Sequence, residues 1–188
     1  MLRVENPNYD KEVVADVMSG IDALSEQCQC VNLNRKALLG TSYGGRIVAW
    51  ATLLHPKEWV ASVVGNGSLD DVDMYIRSDR GAGFTKKYGG HPWDKTLRES
   101  YRNASPIYAA QSIQAPTLII STLRDPRVPV SQSFKFWKAL EDNGTKVEFI
   151  AYDMAGHGPS DLPNSIDYWQ RATNWIARYF DGADHETR

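Results

Sequence analysis

An α/β architecture, a mostly parallel sheet with helices on both faces, is what this 188-residue chain predicts. Three observations carry the prediction. Short apolar runs rich in β-branched residues alternate with stretches of helical period along the chain, the pattern of strands joined by crossover helices. One of these runs passes through Gly40-Thr41-Ser42-Tyr43-Gly44 straight into a helix, a sharp strand–turn–helix flanked by glycine. Two later apolar runs end at Leu123-Arg124-Asp125 and Ala155-Gly156-His157-Gly158, so a serine, an aspartate and a histidine follow strands in that chain order.

Taken in order, Glu12 to Glu26 places Val13, Val14, Val17, Ile21 and Leu24 at spacings of three and four, an amphipathic helix whose start is marked by Asn8 and Asp10. Lys36 to Gly40 is a short strand ending at a glycine, and Tyr43 to His55 is a helix stopped by Pro56. Trp59 to Gly65 reads as a buried parallel strand. From Asn66 to Ala115 the pattern loosens at Gly81, Gly83, Gly89, Gly90, Pro92 and Pro106, which predicts short helices and loops at the mouth of a site. Pro116 to Leu123 is the third strand, Ser131 to Asn143 a helix closed by Gly144, and Lys146 to Tyr152 the fourth strand. A last helix, about Asn164 to Phe180, carries Ile166, Trp169, Ala172, Trp175, Ile176 and Tyr179, its Trp and Tyr residues read as core rather than cofactor-binding. No linker or repeat divides the chain, so residues 1–188 form one domain.

Hydrophobic residues at 42% and charged residues at 23% fit a folded globular chain. A net charge of -2 without a basic stripe argues against nucleic acid, and no apolar run approaches the roughly 20 residues of a membrane span. Met1 to Asn6 lacks the charged start and apolar region of an export signal. Cys28 and Cys30 are separated by one residue, which suits neither a loop-closing disulfide nor a Cys-x-x-Cys redox pair; two free thiols point to a reducing, cytoplasmic setting.

A serine hydroxyl is a weak nucleophile that must be held exposed beside a base, with backbone N–H groups aimed at the oxygen that becomes negative. The turn at Ser42 answers both needs: Gly40 and Gly44 allow strand and helix to pack closely, and the N–H of Tyr43 is one oxyanion donor. A helix-capping role would explain Ser42 but not its flanking glycines. Asp125, immediately beyond Thr117-Leu118-Ile119-Ile120, lies where an acid can orient a histidine, although aspartates are also common at loop starts. Of the four histidines, His55 ends a helix, His91 lies in an irregular stretch and His185 in a polar tail. His157, in a glycine-bounded loop, is left as general base and acid. The order Ser, Asp, His is that of the α/β-hydrolases.

Other constellations read as structural. Asp70-Asp71-Val72-Asp73 lacks the glycine and glutamate of a calcium loop and is expected to be a solvated acidic turn. Gly81-Ala82-Gly83 lacks the third glycine and the preceding strand of a dinucleotide site. Asn66-Gly67-Ser68, Asn103-Ala104-Ser105 and Asn143-Gly144-Thr145 match the glycosylation pattern, which matters only in an exported eukaryotic protein. No cofactor and no metal is implied.

Asn34-Arg35-Lys36-Ala37-Leu38-Leu39-Gly40-Thr41-Ser42-Tyr43-Gly44-Gly45 resembles the nucleophile block of the prolyl oligopeptidase family of serine peptidases. Tyr88-Gly89-Gly90-His91-Pro92, Ser105-Pro106-Ile107 and Ala115-Pro116-Thr117-Leu118-Ile119-Ile120 are similar to other segments of that family. The resemblance implies Ser42 as nucleophile, Asp125 as orienting acid and His157 as base. It further implies that Arg127, in Asp125-Pro126-Arg127-Val128-Pro129, binds a substrate carbonyl, with a surface salt bridge as the alternative, and that Tyr43 lines the pocket before the scissile bond.

Family members resemble an eight-stranded α/β-hydrolase, whereas this chain supplies the elbow strand and the three that follow. The N-terminal strands, the loop bearing the second oxyanion donor and any propeller are missing from the pattern, as in the C-terminal portion of a catalytic domain. Another chain or an N-terminal segment would then cover the sheet edge. The expected activity is cleavage of oligopeptides through an acyl-enzyme. A carboxylesterase or other acyl hydrolase on the same scaffold, or an inert truncated domain, are the alternatives.

Overall fold

The computed structural model describes residues 8–180. The helix α1 (Tyr9–Gln27) precedes strand β1 (Ala37–Thr41), and α2 (Tyr43–Leu54) leads to β2 (Ala61–Gly65). Three short helices follow, α3 (Asp71–Arg77), α4 (Gly81–Tyr88) and α5 (Arg98–Asn103), then a 3-10 turn (Pro106–Ser112). Strand β3 (Thr117–Arg124), α6 (Ser131–Asp142), β4 (Val147–Ala155) and α7 (Leu162–Phe180) complete the order. Each predicted element from the first helix to the last is present, with ends displaced by a few residues.

The four strands run parallel in the order β1-β2-β3-β4. Parallel strands joined by helices send every carboxyl end to the same edge of the sheet, which is why residues far apart in sequence meet there. Both faces are covered, and the two-residue period of the strands sorts the core. Val64 and Ile119 pack with Val48 and Ala49 of α2 and with Phe136 and Leu140 of α6. Their neighbours Val63, Leu118 and Ile120 pack with Tyr168, Ala172 and Trp175 of α7 on the opposite face. A third cluster, Val14 with Trp50, Ala51, Trp59 and Ala115, fastens α1 to α2. Among the described residues β1 has a partner on one side only, and its residues are half-buried to exposed.

Several expectations need correction. Trp169 faces outward at 53% exposure, and the packed face of α7 is the Tyr168, Ala172, Trp175 stripe, which keeps Trp175 in the core. Cys28 and Cys30 form a disulfide rather than two free thiols. Cys28 ends α1 in an extended conformation and the chain then turns, setting the Cα atoms 5.1 Å apart, inside the usual bridging window. That pairing removes the thiol argument for a reducing compartment. No helix among the described residues is long and apolar enough to cross a membrane.

The acidic run is not a solvated turn either, since Asp70, Asp71 and Asp73 are all buried. Each carboxylate has found donors. Asp70 caps α3 by accepting from the N–H groups of Val72 and Asp73 and pairs with Lys135. Asp73 accepts from Ser131 and Gln132 of α6. Asp71 meets Arg46 of α2 through two parallel hydrogen bonds, of 2.7 and 3.2 Å, and also takes Lys87 and the Tyr88 hydroxyl.

Arg46 spends all five of its N–H donors: on Asp10 of α1, on both Asp71 oxygens and on the carbonyls of Ser68 and Ala104. A buried guanidinium is stable only when saturated in this way. Burial opposes the charge of Asp71, but the Arg46 and Lys87 cations outweigh it and hold the carboxyl below its ordinary range.

Candidate active site

Each strand delivers one residue to the carboxyl edge of the sheet: Ser42 after β1, Asn66 after β2, Asp125 after β3 and His157 after β4. Ser42 sits at φ 60° and ψ -120°, a sparsely populated conformation, at the one-residue junction between β1 and α2. Its N–H donates to the Gly65 carbonyl at 2.8 Å, which anchors the junction to β2. The Ser42 side chain does not cap α2, so the capping explanation for this serine fails.

Of the two glycines expected to allow close packing, Gly40 does so and Gly44 does not. A Cβ on Gly40 would lie 2.3 Å from the Gly44 carbonyl oxygen, so Gly40 is needed for the strand to pass under the helix. A Cβ on Gly44 would meet nothing, and the second close approach is at Gly45, whose Cβ would lie 3.1 Å from Gly65 O and from Gly67 Cα. The helix therefore presses on the sheet at Gly40 and Gly45.

Asp125 and His157 are brought together directly, with Nδ1 2.6 Å from Oδ2. The Asp125 carboxylate is fully buried, while the His157 side chain keeps 29% of its surface. The other Asp125 oxygen accepts the N–H groups of Arg127 at 2.8 Å and Val128 at 3.1 Å. Burial pushes the Asp125 pKa up, but the His157 hydrogen bond and these two backbone donors prevail, and the group stays ionised below its ordinary range. An ionised carboxylate only accepts, so His157 donates from Nδ1 and Nε2 is the nitrogen left to take a proton. Ser42 follows the outer strand β1 at the same edge, without a direct hydrogen bond to His157 among the described residues.

Tyr43, the residue after the nucleophile candidate, is 42% exposed, and its hydroxyl donates to Asp10 at 2.9 Å. Its ring stacks on Tyr9, with centroids 6.4 Å apart. Burial, then the Asp10 carboxylate, push the phenol pKa upward, so it remains a donor. Arg127 lies on the rim, where Asp79 engages Nε at 2.7 Å and Nη2 at 3.2 Å and leaves Nη1 unused among the described residues. The loop carrying the acid is strapped to the end of α3: Asp79 N–H donates to Pro126 O at 2.8 Å and the Ser78 hydroxyl to Arg127 O at 2.6 Å.

His55 follows α2 and His91 follows α4, neither hydrogen-bonded to this pair among the described residues, and His185 is outside the described residues. No group of acidic, histidine and cysteine side chains able to hold a metal occurs among the described residues.

Sequence reasoning missed Asn66. It is 1% exposed, too buried to be a glycosylation acceptor in the folded chain, and its Nδ2 donates to Asp125 Oδ2 at 2.8 Å and to Thr122 Oγ1 at 3.1 Å. Also missed were Asp10, which accepts from the Tyr43 hydroxyl, and Arg46, which holds Asp10. The one available signal was an arginine at an inward position of the helix after the elbow, where a charge without a buried partner would be prohibitive.

A family model described as the prolyl oligopeptidase family matches residues 3–183. The chain belongs to the prolyl oligopeptidase family. Dipeptidyl-peptidase 5 of Porphyromonas endodontalis is 25% identical over 175 residues, 92% of this chain and 25% of that protein. Dipeptidyl peptidase family member 6 of Caenorhabditis elegans is 28% identical over 172 residues, 86% of this chain and 22% of that protein. The acylaminoacyl peptidase of Pyrococcus horikoshii superposes with a TM-score of 0.79 at 27% identity, covering 93% of this chain and 29% of the other. The fold is thus that of the α/β-hydrolases, and this family chain spans about a quarter of the length of the curated relatives it matches.

Proposed function

We propose that this chain carries the nucleophile, acid and base of a serine hydrolase that cleaves peptide bonds of oligopeptides through an acyl-enzyme. The observation that carries the reading is the strained, uncapped Ser42 at a strand–helix junction on the sheet edge that also bears the 2.6 Å Asp125–His157 pair. Ser42 Oγ attacks the carbonyl while His157 Nε2 takes its proton, and Asp125 stabilises the imidazolium. The Tyr43 N–H donates to the developing oxyanion. His157 then protonates the departing amine, and water releases the acyl group by the same route in reverse. Arg127, through the Nη1 that Asp79 leaves unused, binds a substrate carbonyl, and Tyr43 forms one wall of the acyl pocket.

The peptidase names of the relatives support a peptide rather than another acyl substrate. A β1 that pairs with β2 alone among the described residues, and a chain that spans about a quarter of its relatives, support the reading of a partial catalytic domain, its C-terminal portion. A second oxyanion donor would then come from outside it, and its loss would cost about 10²–10³ in rate.

Labelling by a fluorophosphonate probe, compared between wild type and Ser42→Ala, tests the reading. Wild type is expected to label and the variant not. Absence of Ser42-dependent labelling in folded protein would favour an inert hydrolase-like domain, and turnover of a p-nitrophenyl ester without turnover of a peptide anilide would favour an esterase.

A further inference from the structure

We infer that Asn66 is a positioning residue that holds both the acid and the histidine of the site, an inference that rests on the hydrolase reading above. Asn66 carries two local penalties. Its φ of 41° lies in the left-handed region, and its Oδ1 is buried without a hydrogen-bond partner among the described residues. Rotating the amide by half a turn would not relieve the second, because it would set Oδ1 against the Asp125 carboxylate and the NH₂ group where Oδ1 now has nothing to meet. The orientation is therefore dictated by the acid, at the expense of a buried acceptor.

The gain is at the site. Asp125 has room for about four hydrogen bonds to its lone pairs, and four donors fill them: Arg127 and Val128 N–H on Oδ1, His157 Nδ1 and Asn66 Nδ2 on Oδ2. With no lone pair left for a proton, Asp125 is fixed as an acceptor facing His157. The second Asn66 N–H reaches Thr122 Oγ1, whose own hydroxyl donates to the carbonyl of Gly156 at 2.5 Å. Gly156 is the residue before His157, so one amide braces the acid directly and the histidine loop through one hydroxyl. Thr122 is paired with Tyr152 just before the β3–β4 register shifts. An asparagine suits the position because it tolerates the left-handed backbone and offers two donors on a short stem.

The test compares Asn66→Gly, which suits the backbone and removes both donors, with Thr122→Val, which removes only the relay to Gly156. Turnover of a p-nitrophenyl ester, the thermal unfolding midpoint and the low-field Nδ1–H proton resonance of His157 are measured on each. Asn66→Gly is expected to lower kcat about ten- to a hundred-fold with KM within about two-fold, to move the His157 proton upfield and to leave the midpoint nearly unchanged. Thr122→Val is expected to lower kcat by less, about three- to ten-fold.

A kcat within two-fold of wild type in Asn66→Gly with an unmoved proton would overturn the role. So would a fall in activity that merely tracks unfolding, with the folded fraction fully active. If wild type neither labels at Ser42 nor turns over, the hydrolase reading fails, and the His157 proton in wild type and variants still decides whether Asn66 holds the pair.

Discussion

Asp71 and Asp125 are both buried carboxylates held below their ordinary pKa range, yet they are partnered in opposite ways. Asp71 faces Arg46, itself buried with every donor engaged, in a network that reaches α1, α2, α3 and α5. Asp125 faces His157, whose ring is partly open to solvent and whose second nitrogen is uncommitted among the described residues. A pair closed at both ends fixes where helices lie, whereas a pair open at one end can pass a proton. Burial and a lowered pKa alone do not distinguish the two, and the free end of the partner does.

The same substitution at both positions separates them most sharply. Asp125→Asn is expected to lower kcat/KM for a p-nitrophenyl ester on the order of 10⁴-fold, by favouring the wrong histidine tautomer, while the protein stays folded by circular dichroism. Asp71→Asn is expected to act on stability, lowering the unfolding free energy in urea by about 3–5 kcal/mol because Arg46 is left buried without its main counter-charge. Per active site titrated with fluorophosphonate, its turnover should stay near wild type. A large loss of turnover in stable Asp71→Asn protein would erase the distinction.

Acid should weaken both pairs. Their folded pKa values are depressed, so the unfolded chain binds protons more readily, and the stability they contribute is present above about pH 4 and lost as pH falls from there through the depressed values. Urea midpoints measured from pH 6 downward should fall below about pH 4, and more shallowly in Asp71→Asn, which lacks one of the two carboxylates. An equally steep fall in that variant would show that other groups control acid unfolding.

The smallest effect is expected at the rim, where Arg127 and Asp79 pair in solvent. Arg127→Ala should leave the unfolding midpoint unchanged within error and raise KM for a peptide anilide several-fold with little change in kcat. An unchanged KM would leave Arg127 as a surface ion-pair partner only.

Much of this molecule was legible before its structure. The glycine-flanked turn, the apolar runs and the order Ser, Asp, His are local patterns, and local patterns suffice to say that strands alternate with helices and which residues end them. What the periodicity could not supply was the rotation of α7 that turns Trp169 outward, because two overlapping stripes on that helix are both apolar enough to pack. Nor did the residues at 70–73 reveal their burial, since an acidic run looks solvated until Arg46, Lys135 and Gln132 arrive from other elements.

By itself, then, the sequence determined the architecture and that Ser42, Asp125 and His157 follow strands, because backbone conformation and the apolar faces of single elements follow from neighbours within a few residues. Only the tertiary structure decided that Cys28 bonds Cys30, that Gly45 rather than Gly44 meets the sheet, that Arg46 is sealed between Asp10 and Asp71, and that Asn66 reaches Asp125. The long-range partnerships among these join residues 25 to 59 positions apart. The partner of a buried charge or amide is set by how elements pack, and composition and spacing carry no record of that.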